Sequence, residues 1–177
     1  EFLIVGYPHN SVEIFKLNFE GEVYIESVSF VKGSRNCVLY AMSIVEDPFE
    51  KSEQKLPKFL VASGTIFGQV VIWNERGEEL AYLQGHEGSV FSLAWNETCD
   101  AIASTSDDRT VRYWKLDRKS PKEEFKLLAC QKMYGHYSRI WSCRFMDSYI
   151  ISAGEDATIR FWSKESGECV HILKGHF

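Results

Sequence analysis

The stretch Gly135-His136-Tyr137-Ser138-Arg139-Ile140-Trp141, with Ile151-Ser152-Ala153-Gly154-Glu155-Asp156 and Ile159-Arg160-Phe161-Trp162 behind it, decides the fold. Its apolar runs are short, rich in β-branched and aromatic residues, and separated by turn formers. None keeps a helical period, so they read as strands. The same order occurs upstream as Gly85-His86, Ala103-Ser104-Thr105-Ser106, Asp108 and Val111-Arg112-Tyr113-Trp114. Trp follows His by 28 residues in one unit and by 26 in the other; in both, Ser precedes Trp by ten residues and Asp precedes it by six. A weaker copy reads Val61-Ala62-Ser63-Gly64 and Val70-Val71-Ile72-Trp73, with Phe67 at the Asp station. Another Gly175-His176 stands at the end of the sequence. A polar insertion follows Trp114; with about eight of its residues set aside, the repeat is ~40 residues long.

Each unit reads as four strands, which in the second full unit fall at about 89–96, 101–105, 110–116 and 125–131. These motifs resemble WD repeats, specifically over residues 59–177 and more weakly over 1–58. The resemblance implies an all-β chain, a β-propeller of four-stranded WD-repeat blades, with three complete blades and part of a fourth. Residues 1–28 are expected to supply the later strands of a partial blade, with Phe15 at the Trp station. Residues 29–84 are a degenerate blade with an insertion at 46–58, residues 85–134 a blade with an insertion at 117–126, and residues 135–174 a further blade. Residues 175–177 would open the next one. Propellers close with about four to eight blades, so a fragment of a larger propeller is expected.

In WD repeats the Gly-His imidazole, the turn Asp, the strand Ser and the Trp indole form one hydrogen-bonded chain. The resemblance carries those roles to His86, Asp108, Ser104 and Trp114, and to His136, Asp156, Ser152 and Trp162. The blade of Trp73 lacks both the Asp and the Gly-His, so apolar packing is expected to hold it instead. The Asp that usually follows the Trp is replaced by Asn74, Lys115 and Ser163.

Composition narrows the function. Of 177 residues, 45% are hydrophobic and 14% aromatic, which supports a globular core. The five cysteines include no C-x-x-C pair, which argues for reduced thiols in a cytoplasmic setting and against a disulfide framework or zinc site. A net charge of −5 is unlike a surface that wraps RNA by itself, so any contact with RNA is expected to be indirect or local to a few residues. Ser104 and Ser152 lack a nucleophile-elbow setting. Gly64 and Gly68 lack the helix a phosphate loop needs. No catalytic or metal-binding set is expected, and no cofactor.

The loop holding each Gly-His and the turn holding each Asp lie at the same end of a blade. That end presents Glu87, Asp107, Arg109, Tyr137, Arg139 and Glu155 as candidate partner contacts, with Tyr137 and Arg139 foremost because Tyr and Arg are enriched at hot spots. The 117–126 insertion, with Arg118, Lys119, Lys122 and Lys126, reads as a solvated loop; Phe49 in the 46–58 insertion is a candidate anchor.

The stretch Ala62 to Trp73, the run from Gly135 to Asp156, and Asn36-Cys37-Val38-Leu39-Tyr40 resemble the large WD-repeat subunit that pairs with the FtsJ-like tRNA methyltransferase. The resemblance implies a non-catalytic scaffold. It would bind that enzyme and help present tRNA for 2′-O-ribose methylation of wobble nucleotide 34, with S-adenosylmethionine on the catalytic partner only. Two other readings remain open: a general scaffold such as a ubiquitin-ligase adaptor, and a reader of basic or methylated tails. The reader needs an aromatic cage that the sequence does not assemble.

Overall fold

In a computed structural model, residues 1–19, 24–35, 37–49, 56–121 and 123–175 are described. Val23, Asn36, Lys122, His176, Phe177 and part of the 46–58 insertion therefore lie outside the described residues. The described chain forms fifteen strands in four antiparallel sheets. The first sheet pairs β1 (Phe2–Tyr7), β2 (Ser11–Asn18) and β3 (Tyr24–Lys32). The second runs β4 (Leu39–Glu46), β5 (Phe59–Thr65), β6 (Gln69–Asn74) and β7 (Glu79–Gln84). The third comprises β8 (Val90–Trp95), β9 (Ala101–Ser106), β10 (Thr110–Asp117) and β11 (Lys126–Tyr134). The fourth comprises β12 (Ile140–Met146), β13 (Tyr149–Gly154), β14 (Thr158–Ser163) and β15 (Cys169–Lys174). The described fold is all-β, a three-stranded sheet followed by three consecutive four-stranded blades.

The central strands explain the sequence pattern. A half-exposed strand alternates apolar and polar residues, but β5 reads Phe59-Leu60-Val61-Ala62-Ser63-Gly64-Thr65 and is buried throughout. Its period of two is divided between two cores. Phe59 and Val61 pack with Val12, Ile14, Val71 and Trp73 toward the first sheet. Leu60 and Ala62 pack with Val70, Ile72, Ile102 and Trp114 toward the third. A matching layer of Ala103, Val111, Ile140, Ile150 and Trp162 joins the third blade to the fourth. Each of the recurring tryptophans Trp73, Trp114 and Trp162 is thus the large knob that fills the gap to the preceding blade.

Three boundaries differ from the sequence reading. β3 runs to Lys32, so a division after residue 28 cuts a strand: Val12 pairs with Val31 and Ser11 with Lys32, holding 29–32 in the first sheet. β10 and β11 pair out to Asp117 and Lys126, so the insertion between them is residues 118–125. β11 also continues to Tyr134, three residues beyond the expected end of the strand.

The insertion after β10 is not simply solvated. Arg118 is buried, and its Nη1 donates to Asp47 Oδ2 at 2.8 Å. Its Nε and Nη2 donate to the carbonyls of Glu123 (3.2 Å) and Pro121 (2.5 Å). The guanidinium also sits 5.2 Å from the Phe125 ring and 5.7 Å from Phe49. Asp47 N–H in turn donates to Lys58 O at 3.0 Å, closing the base of the insertion between β4 and β5. One ion pair thus staples the insertions of adjacent blades together.

Removing one partner of a sealed ion pair strands the other charge. Arg118→Met is expected to cost about 3–5 kcal/mol in denaturant unfolding. The double variant Asp47→Asn/Arg118→Met is expected to recover most of that loss, because no unpaired charge remains.

Candidate functional site

The strongest constellation starts from a buried hydroxyl. Ser104 lies on β9, sealed between blades with no solvent exposure, so its donor and acceptor sites must be satisfied inside the protein. The Trp114 indole N–H donates to Ser104 Oγ at 2.8 Å. Ser104 Oγ lies 2.7 Å from His86 Nε2, and His86 Nδ1 lies 2.9 Å from Asp108 Oδ2. The fourth blade repeats this: Trp162 to Ser152 at 2.8 Å, Ser152 to His136 at 2.7 Å, and His136 Nδ1 to Asp156 at 2.9 and 3.0 Å. The structure brings all eight of these sequence-selected residues together.

Proton counting fixes the tautomer. Serine has one proton to give and already accepts from the indole; the remaining imidazole nitrogen facing it must therefore accept. So Ser O–H donates to His Nε2, and His Nδ1–H donates to the carboxylate. A protonated imidazole would present a second N–H to an oxygen whose own proton then has no acceptor. Burial likewise lowers the pKa of His86 and His136, against the opposing pull of their aspartates. Burial alone would raise Asp156, but hydrogen bonds from the Tyr137 N–H, Thr158 and His136 bring it to about 2. Asp108 is likewise held below the usual carboxylate range despite its burial, by His86, Thr110 and the Glu87 N–H.

Ser, His and Asp in this order have the distances of a hydrolase triad. They cannot act as one here. The serine oxygen accepts from a tryptophan, lies beyond the reach of a substrate, and faces a packed blade. The network instead orders backbone. Asp108 accepts from the N–H groups of Glu87 (3.0 Å) and Thr110 (2.9 Å); Asp156 accepts from those of Tyr137 (3.0 Å) and Thr158 (3.1 Å). Each aspartate therefore clamps a Gly-His loop to the turn of its own blade.

That loop face carries the candidate contacts, and their charges are mostly spoken for. Arg139 Nε lies 2.6 Å from Asp107 across the blade boundary. Glu155 N–H donates to Arg139 O at 2.8 Å, and Ser138 donates to Glu155 at 2.5 Å. Glu87 lies 3.5 Å from Lys132. Arg109 is exposed in a left-handed turn position (φ 64°). Tyr137 is 81% exposed, with the Arg160 guanidinium 5.5 Å from its ring. Among the described residues no group of three or more His, Cys, Asp or Glu side chains is placed to hold a metal.

Two features escape the sequence reading. The blade of Trp73 is not held by apolar packing alone. Trp73 N–H donates to Ser63 Oγ (2.9 Å), and Ser63 donates to Asn10 Oδ1 (2.8 Å). Asn10 comes from the β1–β2 turn of the neighbouring sheet, has left-handed φ of 57°, and is fully buried. Its amide donates onward to Arg35 O at 2.8 Å. An amide from the next blade takes the station of the imidazole, and no repeat search would find it. The second feature was visible: Arg112 and Arg160 stand two residues before their tryptophans. Arg112 Nη2 donates to Gly85 O at 2.5 Å. A Cβ on Gly85 or Gly135 would meet Arg112 or Arg160 Nη1 at 2.6 Å, so glycine precedes the histidine to admit a buried guanidinium.

His136→Ala is expected to cost about 1–3 kcal/mol by orphaning Ser152 and Asp156; an unchanged thermal midpoint would contradict the network. Asn10→Ala should cost about 1 kcal/mol or more for the same reason at Ser63. The histidines are neutral when folded and have depressed pKa values, so the unfolded chain binds more protons below about pH 6.5. Stability contributed by these groups is full above that value and falls as pH drops below it, before carboxylate titration begins. Melting followed from pH 8 to 5 checks the sign, and His86→Gln/His136→Gln should flatten that part of the profile.

Residues 77–115 and 128–163 match the WD domain, G-beta repeat. The chain is 28% identical to the human tRNA (34-2′-O)-methyltransferase regulator WDR6, over 79% of its length and 12% of the human protein. It is 28% identical to the mouse regulator of the same name over 97% of its length and 15% of that protein. It is also 30% identical to nuclear distribution protein nudF 1 of Talaromyces marneffei, over 68% of the chain and 26% of that protein. The chain thus spans about an eighth to a quarter of these relatives' own lengths. No helix among the described residues is long and apolar enough to cross a membrane. Repeat match, four-stranded blades and paired Trp–Ser–His–Asp networks agree: the chain carries WD repeats, and it is similar over most of its length to the tRNA (34-2′-O)-methyltransferase regulators.

Proposed function

We propose that this chain belongs to a non-catalytic cytoplasmic scaffold that binds an FtsJ-like methyltransferase and helps position tRNA for 2′-O-ribose methylation at wobble nucleotide 34. The observation that carries this reading is similarity, over 79–98% of the chain, to several mammalian proteins named as regulators of that methylation. The geometry is compatible with it. The Ser–His–Asp sets are sealed and committed to holding loops, so the chemistry belongs to the partner, as does S-adenosylmethionine. The scaffold contributes positioning. A rigid loop face that needs no ordering on contact lowers the entropic cost of aligning a ribose hydroxyl with a methyl donor. Tyr137, Arg139, Glu87, Asp107, Arg109 and Glu155 are the proposed contact set, with Tyr137 its most exposed ring. The Arg139–Asp107 pair serves to fix the register of that face rather than as a free charge.

A general WD scaffold in another complex is the second reading, favoured by the similarity to nuclear distribution protein nudF 1 and to ribosome biogenesis protein ytm1 of Botryotinia fuckeliana. Affinity purification of the full-length protein separates the two. Near-stoichiometric recovery of an FtsJ-like methyltransferase, with loss of ribose methylation at nucleotide 34 on depletion, is the expected outcome. Recovery of a different stable complex and unchanged methylation would sink the tRNA reading. If the loop face is the docking surface, Tyr137→Ala should weaken capture of the enzyme about tenfold without lowering the melting temperature.

A further inference from the structure

The innermost strands carry a feature that the tetrads do not use. β4, β8 and β12 lie side by side along the inner edges of their blades. Each has a β-bulge near its start, between Leu39 and Ala41, between Val90 and Ser92, and between Ile140 and Ser142. The residue in the bulge is aromatic every time: Tyr40, Phe91 and Trp141. A bulge gives up regular pairing and re-aims a side chain. Here three blades re-aim a ring to the same place. Tyr40 and Phe91 have centroids 5.6 Å apart, tilted by 56°; Phe91 and Trp141 are 4.7 Å apart, tilted by 34°. The three rings form one continuous surface, with Tyr40 62% and Trp141 47% exposed. They stand at the Gly-His end of the strands, since Phe91 and Trp141 each follow a Gly-His histidine by five residues.

A cavity of about 500 Å³ runs below the rings along the inner strands. Its lining includes Tyr40, Phe91 and Arg144, and no acidic side chain. Arg144 is exposed, and its Nη1 donates to the Cys143 carbonyl at 2.7 Å. It lies three residues beyond Trp141, roughly 10 Å along a strand. Aromatic faces accept cations or flat π systems. Arg144 also borders an adjoining cavity that holds Glu97, Asp147 and Lys164, but on the side of the rings the lining holds its guanidinium and no carboxylate, which disfavours a cation there and favours an anion. A flat ring joined to an anionic backbone is a nucleotide.

The geometry points to a binding site for single-stranded RNA: an unstacked base lies on the Tyr40–Phe91–Trp141 surface while a neighbouring phosphate meets Arg144. Stacking suits this otherwise acidic chain, because it takes hold of bases without requiring a basic groove. The inference deepens the tRNA reading above and rests on it, since an anticodon loop offers the required unpaired bases.

The test uses the full-length protein and a fluorescein-labelled single-stranded RNA heptamer, followed by anisotropy. Tyr40→Ala and Trp141→Leu should each weaken binding about tenfold, the loss expected for one stacked base. Trp141→Phe should restore most of it. Arg144→Ala should weaken binding and reduce its salt dependence by about one phosphate contact. Because these side chains are largely exposed, melting temperatures should hold. A 4-thiouridine heptamer should cross-link to peptides containing Tyr40, Phe91 or Trp141. Unchanged affinity in Tyr40→Ala/Trp141→Leu, or cross-links confined to other peptides, would overturn the site. So would an acidic aromatic peptide that binds these rings where the heptamer does not. If the double variant still recovers the methyltransferase, the failure is this site's alone; if the unaltered protein recovers none, the functional reading has failed.

Discussion

The fold depends on what happens to a hydroxyl proton that water cannot reach. Blades packed face to face seal their central strands on both sides, so the apolar residues of β5 and β9 find partners at no polar cost while Ser63 and Ser104 do not. Each serine is flanked by an indole that can only donate, which obliges its own proton to find an acceptor elsewhere. In the third and fourth blades that acceptor is an imidazole, which then has a proton of its own to place, and an aspartate completes the chain. The aspartate's spare lone pairs reach two backbone N–H groups and so bind loop to turn. A requirement set in the core is met by ordering the surface.

The second blade shows that the requirement matters more than the residue. It has Ser63 and Trp73 but no Gly-His, and the missing acceptor arrives as the Asn10 amide from the adjacent sheet. This solution has a different consequence. An imidazole ties a blade to its own entry loop, whereas Asn10 ties two blades together and donates to the Arg35 carbonyl beyond. The close packing of the Asn10 side chain against Gly33, where a Cβ would meet Nδ2 at 2.6 Å, keeps that junction tight.

The sequence made legible whatever recurs. Ser ten residues before Trp and Asp six before it were countable, and strand positions in the third blade agree to within about a residue for three of its four strands. What it concealed falls into two physical kinds. Asn10 and the Asp47–Arg118 pair join residues 53 and 71 positions apart by contacts that occur once, so no period reveals them. Arg118 in particular looked like one charge in a polar run, because burial is a property of the packed loop and not of its composition. The aromatic ladder is of the other kind. Phe91 and Trp141 do recur at a fixed offset from Gly-His, but a lone aromatic at a strand start reads as core, and only the bulges turn these rings outward.

The two ends of the blades therefore differ in character. At one end stand the loops clamped by Asp108 and Asp156 and the rings of Tyr40, Phe91 and Trp141, and several of the ionised side chains there are matched within the face, Arg139 with Asp107 and Lys132 with Glu87. At the other, the insertions after β4 and β10 are joined by a buried ion pair beneath Phe49 and Phe125. An internally neutralised face has little long-range charge with which to steer a partner, so its selectivity must come from shape and from rings. A net charge of −5 then has to be carried largely away from that face, where it discourages nonspecific contact with nucleic acid. On the proposed reading, the aromatic mouth selects unpaired bases over duplex by the rings alone: both forms present phosphate, which Arg144 can meet at one point, but only an unstacked base presents the face that Tyr40, Phe91 and Trp141 can take.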